Sequence, residues 1–391
     1  MALERSPILL TILPSSFKGI GGAELHWFRL LFVLSYLFPN MKIKAICGTR
    51  PRSSLTKNVS LISFPLIRLT ECSWVVLIFF PIIWFIEFFF MALLLIRDIR
   101  KVIAIHITMG YPRVIPFIVF SKLLKKIVIM EIHGFTEISR FWKLSSKYLS
   151  LVDIMITTNK VQYIFFKKKR LGHTVILIPA LGSVIAERTS EELCKEINAR
   201  SLMHGISIAY FGGEKRVKGF FQLLKLLSLL TKDSRIKYIS LFGRYTTKTI
   251  DLITRLTEDS PKIKLRGLIP HKDVITEMRK HDIILGAGLV AHEALSQCRP
   301  VVLWYDFGSV CRFDVIGLHY DSISKGLVFL PTDIKDYKSL LEEIINFFIY
   351  FSQEDPKILV SRINNVLYNF NPRIAIRRYY TLFKKLQRCR C

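Results

Sequence analysis

The sequence predicts an α/β protein made of two doubly wound domains with parallel sheets. Twelve short apolar runs alternate with helix-length segments, and each run ends at Gly, Pro or a polar turn. Runs this apolar are typical of parallel strands that helices cover on both faces. A chain of 391 residues suits two cores of ordinary size better than one.

The strands are predicted where a short apolar run is bounded by turn residues. In chain order they are 7–13, 42–47, 59–64, 102–107, 127–132, 153–157, 175–178, 206–211, 237–242, 262–266, 282–285 and 300–304. The first run resembles the core of a signal peptide, but Glu4 and Arg5 precede it and no clean small-residue cleavage site follows. We expect this first run to be a buried strand.

A polar stretch with little periodicity, residues 183–205, is the predicted linker. It divides the chain into an N-terminal domain, residues 1–182, and a C-terminal domain, residues 183–372. Residues 373–391 have basic and apolar positions at helical spacing and predict a basic amphipathic helix.

The chain is strongly basic, since 57 Lys and Arg against 30 Asp and Glu give a net charge of +27. Such a charge predicts attraction to nucleic acid, acidic lipid headgroups or phosphorylated substrates. No nucleic-acid-binding motif accompanies the charge, and basic residues are interleaved with strongly apolar segments. We therefore expect no nucleic-acid partner.

The seven cysteines are scattered and include no C-x-x-C pair. This spacing predicts neither a disulfide framework nor a structural zinc site, and it favours a reducing compartment.

Three glycines, Gly19, Gly21 and Gly22, stand between the first strand and a predicted helix. Glycine lets the backbone approach a ligand closely, and a helix N-terminus favours an anion. A dinucleotide-binding fingerprint that starts at Gly19 is contradicted by Glu24 at its sixth position. The remaining interpretations are an anion-binding loop and a turn that only permits tight packing.

Two histidines follow or end predicted strands in this domain. His133 comes directly after strand 127–132, and His106 lies near the end of the strand before. Open α/β sheets bind ligands at the carboxyl ends of their strands, so His133 is a candidate site residue. A purely structural role stays open for both histidines.

A glycine pair and a basic loop follow the first strand of the second domain. Gly212 and Gly213 come at the strand end, and Lys215, Arg216 and Lys218 follow before a predicted helix. Cations beside a helix N-terminus are suited to bind a diphosphate. A solvated charge run would have the same composition.

The segment 281–306 is the most informative. Its strand is predicted to end at Leu285, a tight G-A-G loop follows, and a helix begins with Glu293 in its early turns. Loop amides suit phosphates and a carboxylate suits a ribose diol, although Glu293 also has the simpler role of stabilising the helix dipole. The candidate donor-binding residues here are Gly286, Gly288, Leu289, Val290 and Glu293.

In this order, these segments resemble the GT-B glycosyltransferases, in particular the family 4 (glycosyltransferase group 1) enzymes that use sugar nucleotides. The matching segments are GGAELHWFRLL, VIAIHI, IVIMEIHGF, DIMITTNKVQ, IAYFGGEKRVKGF, ISLFG, IKLRGLIP and EALSQCRPVV.

The resemblance implies two Rossmann-like domains that face a cleft, with the last helix crossing back to the N-terminal domain. It implies a nucleotide-sugar co-substrate, such as a UDP- or GDP-sugar, and no other cofactor. Glu293 would hold the ribose and Lys218 the diphosphate, with the G-A-G-L loop on the phosphates. Gly21 and Gly22 would line the cleft, and His133 would contact the transferred sugar.

The sequence departs from the family at two positions. Leu285 stands where a second Glu is common, and Gly213 stands where an Arg is usual, although Lys215 or Arg216 would supply its charge. The donor and the stereochemistry therefore stay open, with retention expected because the family retains configuration. No Asp-x-Asp pair occurs, which favours metal-independent transfer.

Residues 74–96 form an apolar stretch whose one charge is Glu87. As a helix it would be about 35 Å long, enough to cross a bilayer. A crossing would separate strands that belong to one predicted sheet. We therefore expect a monotopic helix, or a pair of helices kinked at Pro81, at the cytoplasmic face of the membrane. Segment 165–172 and the C-terminal helix would rest on anionic headgroups, near a lipid-linked or glycan acceptor. Burial of 74–96 in the core or a dimer interface is the alternative.

Two other functions fit the same features. The missing Glu at position 285 suggests a catalytically silent membrane subunit that recruits a partner transferase. A nucleotide-sugar epimerase would use the same fold.

Overall fold

The computed structural model describes residues 7–13, 22–47, 56–63, 86, 89–90, 93, 98–108, 114–132, 147–179, 181, 189–199, 204–214, 219–306, 319–331, 336–368 and 370–388. The chain divides into two compact units. The N-terminal unit comprises Met1–Ser183 and Pro372–Cys391, and the C-terminal unit comprises Val184–Asn371.

The N-terminal unit contains a seven-stranded sheet within its described residues. Its strands are β1 (Ile8–Ile12), β2 (Lys42–Cys47), β3 (Val59–Ser63), β4 (Val102–Ile107), β5 (Ile127–Ile132), β6 (Ile154–Thr157) and β7 (Thr174–Leu177). All neighbours are parallel, in the order β3-β2-β1-β4-β5-β6-β7. β1 and β4 are buried at every position, as strands covered on both faces are.

The described part of the C-terminal unit contains a six-stranded parallel sheet. Its strands are β8 (Ile206–Phe211), β9 (Ile236–Phe242), β10 (Ile263–Gly267), β11 (Ile283–Gly286), β12 (Val301–Leu303) and β13 (Val328–Phe329). They lie in the order β10-β9-β8-β11-β12-β13. In each sheet the chain adds strands to one side of its first strand and then to the other.

Helices are numbered in chain order through the described residues. The N-terminal unit has α1 (Gly22–Leu37), α2 (Val114–Leu123), α3 (Lys160–Lys168) and α12 (Pro372–Arg388). The C-terminal unit has α4 (Glu191–Ala199), α5 (Phe220–Lys232), α6 (Thr247–Leu256), α7 (His271–Arg279), α8 (Leu289–Ser296), α9 (Tyr320–Ser324), α10 (Tyr337–Gln353) and α11 (Pro356–Tyr368).

The last helix, α12, packs against α1 of the N-terminal unit. The ring of Tyr380 stacks on Phe38 with centroids 5.6 Å apart, and Phe383 meets the same ring edge-on at 6.3 Å. One face of α12 is buried, through Ala375, Tyr379, Leu382, Phe383 and Leu386. Its basic residues occupy the other positions, as the amphipathic spacing predicts.

The predicted α/β class with two parallel sheets is confirmed. All twelve predicted strands are present, and each observed end lies within one residue of its prediction. The sequence does not predict β13, because two residues are too few to show a period.

One disulfide corrects the expectation drawn from the scattered cysteines. Cys194 in α4 is bonded to Cys298, just after α8, with Cα atoms 5.3 Å apart and both residues fully buried. The two cysteines are 104 positions apart, so no local spacing motif could reveal them.

Most of the apolar stretch 74–96 lies outside the described residues. Within it, Ile86, Phe89, Phe90 and Leu93 are helical; Phe90 packs against the core of the sheet and the other three side chains are exposed. Over the part of the chain that the structure describes, we find no helix of sufficient length and apolar character to traverse a bilayer.

Candidate functional site

Each sheet has a point at which the strand order reverses. It lies between β1 and β4 in the first sheet and between β8 and β11 in the second. Connections leave neighbouring strands in opposite directions at such a point, and the crevice outside the carboxyl ends there is where α/β sheets bind ligands. The candidate glycines come at or after the carboxyl ends of β1, β8 and β11, which are three of the four strands that border these reversal points.

The loop Gly286–Gly288 joins β11 to α8 and is held tightly at its start. A Cβ on Gly286 would come within 2.6 Å of Val290 Cγ1, so only glycine fits without a shift. Gly288 has φ +70° and forms the N-cap of α8, where no described side chain accepts from the first helical amides. A Cβ there would meet no atom of the described residues within 4 Å. Among those residues, the N-terminus of α8 therefore presents uncapped amides with room beside them, which suits an anion.

Glu293 lies on α8, one turn after Leu289. Its side chain is buried, at 4 % exposure, and its carbonyl accepts a 2.6 Å hydrogen bond from Ser296 Oγ. Leu289 and Val290 are half-buried. The structure thus brings the five candidates of this segment together, and it places the Glu293 carboxylate inside the helix packing rather than on a solvated surface.

Gly212 and Gly213 form a close backbone crossing after β8. A Cβ on Gly212 would lie 2.2 Å from the hydroxyl of Tyr210, and a Cβ on Gly243 would lie 2.3 Å from Gly213 Cα. The Tyr210 hydroxyl donates to the Gly213 carbonyl at 3.1 Å, and burial raises the pKa of that phenol. These glycines let two strand ends meet.

The candidates Lys215, Arg216 and Lys218 lie outside the described residues. The loop that carries them ends at Gly219, whose carbonyl accepts from Trp304 Nε1 at 2.9 Å. Gly219 has φ +70°, and a Cβ there would come within 2.5 Å of the Tyr305 carbonyl oxygen. The end of the basic loop is thereby fixed to the chain that follows β12.

A buried carboxylate lies near the carboxyl end of β5. Glu131 is 1 % exposed, and among the described residues it has polar partners on three other elements. His26 Nε2 of α1 is 2.9 Å from Oε1, His106 Nε2 of β4 is 3.1 Å from Oε2, and the Tyr379 hydroxyl of α12 is 2.7 Å from Oε1. A buried carboxylate is tolerated because several donors replace its water.

The tautomer of His26 follows from its two contacts. The amide of Leu181 donates to Nδ1 at 2.7 Å, so Nδ1 carries the lone pair and Nε2 carries the proton given to Glu131. Both ring nitrogens are engaged and the side chain is buried. His26 therefore has a structural role, because neither ring nitrogen is available to exchange a proton with a substrate.

Tyr379 completes the cluster from the far end of the chain. Burial, with the negative charge of Glu131 second, raises the pKa of its phenol well above 10. The phenol thus stays protonated and donates. The Glu131 cluster, defined as Glu131, His26, His106 and Tyr379, joins α1, β4, β5 and α12 at one end of the sheet.

Sequence reasoning missed most of this cluster. His106 was noted, with a structural role left open, and the structure gives it that role. A charged residue inside the apolar strand IVIMEI was a visible signal for Glu131. Gly22 begins α1, whereas Gly21 and His133 lie outside the described residues.

Three rings are in contact at α8, with His292 of that helix between the other two. The His292 ring is 3.8 Å from Phe370 and 4.6 Å from His319, measured between centroids. Burial lowers the pKa of His292 to about 3, so this ring is neutral near pH 7. The amide of Gly288 donates to His319 Nε2 at 3.1 Å.

Among the described residues, no three His, Cys, Asp or Glu side chains are grouped so as to hold a metal ion.

Neither a model of a known protein family nor a curated protein matches this sequence. Solved structures match over almost the whole chain. A sucrose-phosphate synthase from Thermosynechococcus elongatus is 14 % identical with a TM-score of 0.68, over 98 % of this chain and 100 % of that one.

Two further structures match over a similar share of the chain, with lower TM-scores. A glycosyltransferase from Rickettsia africae is 13 % identical with a TM-score of 0.61, over 98 % of this chain and 99 % of that one. Anabaena HepE in complex with UDP-glucose is 14 % identical with a TM-score of 0.60, over 97 % of this chain and 99 % of that one. At identities this low, the structural similarity shows a shared fold and nothing more specific.

Proposed function

We propose that this chain, whose two domains have the GT-B fold, moves a sugar from a nucleotide-sugar donor to a membrane-associated, lipid-linked glycan acceptor. One observation carries the donor half of the proposal. The N-terminus of α8 lies at the reversal point of its sheet, has no described side-chain cap, and has no described atom within 4 Å of where a Cβ on Gly288 would stand. A phosphate anion, such as the diphosphate of a sugar nucleotide, is a ligand that this arrangement suits.

The donor would bind through groups that share one end of the second sheet. The amides of Leu289 and Val290 would meet the diphosphate, and Glu293 would accept from the ribose hydroxyls. Lys218, with Lys215 or Arg216, would add positive charge. HepE, which shares the fold, was crystallised with UDP and with UDP-glucose, so a uridine nucleotide is the first donor to test.

Transfer requires that the diphosphate leave with its charge neutralised. Helix amides and basic side chains provide this stabilisation without a metal, because they are already oriented before the bond breaks. We propose metal-independent transfer with retention of configuration, in which His133 contacts the transferred sugar.

The acceptor half of the proposal rests on surface character. The helical residues Ile86, Phe89 and Leu93 expose apolar side chains. On α3 of the same unit, Ile164 is exposed beside Lys167 and Lys168. Apolar and basic side chains in one unit suit the interface of an anionic membrane, and we propose attachment to the cytoplasmic face.

The test incubates the protein and anionic membranes with labelled UDP- and GDP-sugars. We expect label in the lipid fraction with wild type, and at least a hundredfold less with Glu293→Gln. Glu343→Gln is the matched control, because Glu343 lies exposed on α10. Equal transfer by the Glu293 and Glu343 variants would refute the assigned donor site.

The catalytically silent subunit remains the alternative for one specific reason. Leu285, where the family commonly has a Glu, is fully buried in β11. Donor binding by wild type without transfer to any acceptor, restored by an added transferase, would favour it.

A further inference from the structure

His319 makes a contact that the proposed donor site does not account for. The amide of Gly288, the last residue before α8, donates a 3.1 Å hydrogen bond to His319 Nε2. An amide can only donate, so Nε2 carries a lone pair and the ring is neutral while this bond is formed. The bond joins the loop after β11 to a residue 31 positions away.

The His319 ring is fixed in place. The residue is fully buried at the N-cap of α9, and its carbonyl accepts from the Ile323 amide at 2.8 Å. Its ring lies against that of His292, which in turn packs on Phe370. A ring held on several sides is a rigid acceptor for the loop amide.

Gly288 itself has little else to hold it. Its φ is +70°, and a Cβ there would meet no atom of the described residues within 4 Å. Its carbonyl accepts a 3.2 Å bond from the Ala291 amide, the one backbone bond to it that the described part of the chain supplies at this turn. A glycine in such a position has many conformations available when unrestrained. The His319 contact therefore restricts the peptide that precedes the first amides of α8.

We propose that His319 is a positioning residue for the donor diphosphate. It holds the Gly288 peptide so that the amides of Leu289 and Val290 are in place before the donor arrives. Preorganised amides bind more tightly because less freedom is lost on binding. The inference rests on the proposed function, since it assumes that a nucleoside diphosphate binds at α8.

The test compares two variants of similar length, His319→Gln and His319→Met. The Gln side chain offers an oxygen acceptor and the Met side chain does not. Calorimetry would measure affinity for UDP, GDP and the corresponding nucleosides. For the diphosphate that wild type binds, we expect His319→Met to weaken binding about fivefold to tenfold and His319→Gln less than about threefold. Nucleoside affinity should change less than about twofold in both.

Failure of the proposed function and failure of the positioning role of His319 give different binding results. If wild type binds no nucleoside diphosphate, the proposed function fails. If wild type binds and both variants bind equally well, the positioning role is refuted. Tighter binding by His319→Met would also refute it, because His319 would then compete with the phosphate for the Gly288 amide. His204→Phe, at an exposed histidine of the same unit, provides the background value.

Discussion

The hydroxyl of Tyr379 donates to the carboxylate of Glu131 across 2.7 Å, although 248 positions separate the two residues. Glu131 lies at the end of β5 and Tyr379 lies on the last helix, so this bond attaches α12 to the sheet of the N-terminal unit.

Removal of that hydroxyl should destabilise the N-terminal unit. Tyr379→Phe leaves a buried carboxylate one donor short, at a cost of about 2 kcal/mol in the free energy of unfolding. Urea unfolding of the full chain would measure it. The control is Tyr380→Phe on the same helix, whose ring is 36 % exposed and which should cost less than about 0.5 kcal/mol. A similar loss of unfolding free energy in both variants would contradict the hydrogen bond between Tyr379 and Glu131.

Acid should destabilise the C-terminal unit through His292. Burial lowers its pKa to about 3 from the ordinary 6.5, so between these values the unfolded chain binds a proton that the folded chain does not. The free energy of unfolding then falls with decreasing pH, by about 1.4 kcal/mol per pH unit. His292→Phe keeps a ring against Phe370 and should remove this slope. Parallel curves for the two proteins from pH 6 to pH 4 would show that His292 does not titrate this way.

Two glycines with the same backbone twist should respond differently to alanine. Gly219 and Gly267 have φ +70° and +68°, but only Gly219 has backbone atoms where a Cβ would stand. Gly267→Ala should cost about 1 kcal/mol from strain alone. Gly219→Ala should cost at least about 3 kcal/mol and weaken donor binding, because the end of the basic loop must move. Equal losses in chemical denaturation would argue against the close contact.

The disulfide should stabilise the C-terminal unit. Closing a loop of this length contributes about 5 kcal/mol in the chain-entropy account. A thiol-free reductant should therefore lower the melting temperature of wild type and leave a Cys194→Ser, Cys298→Ser double variant unaffected. Cys47→Ser, at the buried cysteine of β2, should respond to the reductant as wild type does. Titration of all seven cysteines as thiols in denatured, unreduced protein would disprove the pairing.

Membrane attachment should depend on the exposed lysines at the C-terminal end of α3. Converting Lys167, Lys168 and Lys169 to Gln should reduce co-sedimentation with vesicles of 30 % anionic lipid by roughly a hundredfold at low salt, since each basic residue contributes about 1 kcal/mol near such a surface. The reduction should be smaller at high salt, which screens these charges. The same change at Lys225, Lys248 and Lys272, exposed on the other unit, is the control. Equal sedimentation of both triple variants would remove α3 from the proposed surface.

The sequence was sufficient for the strands and for part of the site, for different physical reasons. An apolar run bounded by turns is a local property, which is why β1 and β8 are found to within a residue. The G-A-G loop between β11 and α8 can also be predicted, because its glycines are a local feature of the sequence. Partners of Glu131 are not local, since His26 lies 105 positions away and Tyr379 248. The same holds for Cys194 and Cys298, whose separation of 104 residues carries no period.

The cluster around Glu131 also sets an order of events during synthesis. Leu181, the last described residue before the chain enters the C-terminal unit, bonds to His26, and Tyr379 returns after that unit is complete. A nascent N-terminal unit on the ribosome therefore holds a carboxylate that lacks one of its donors until nearly the whole chain has emerged. Its folding can be completed only after translation has passed the second domain, and a fragment ending near residue 183 should be produced in an aggregation-prone form.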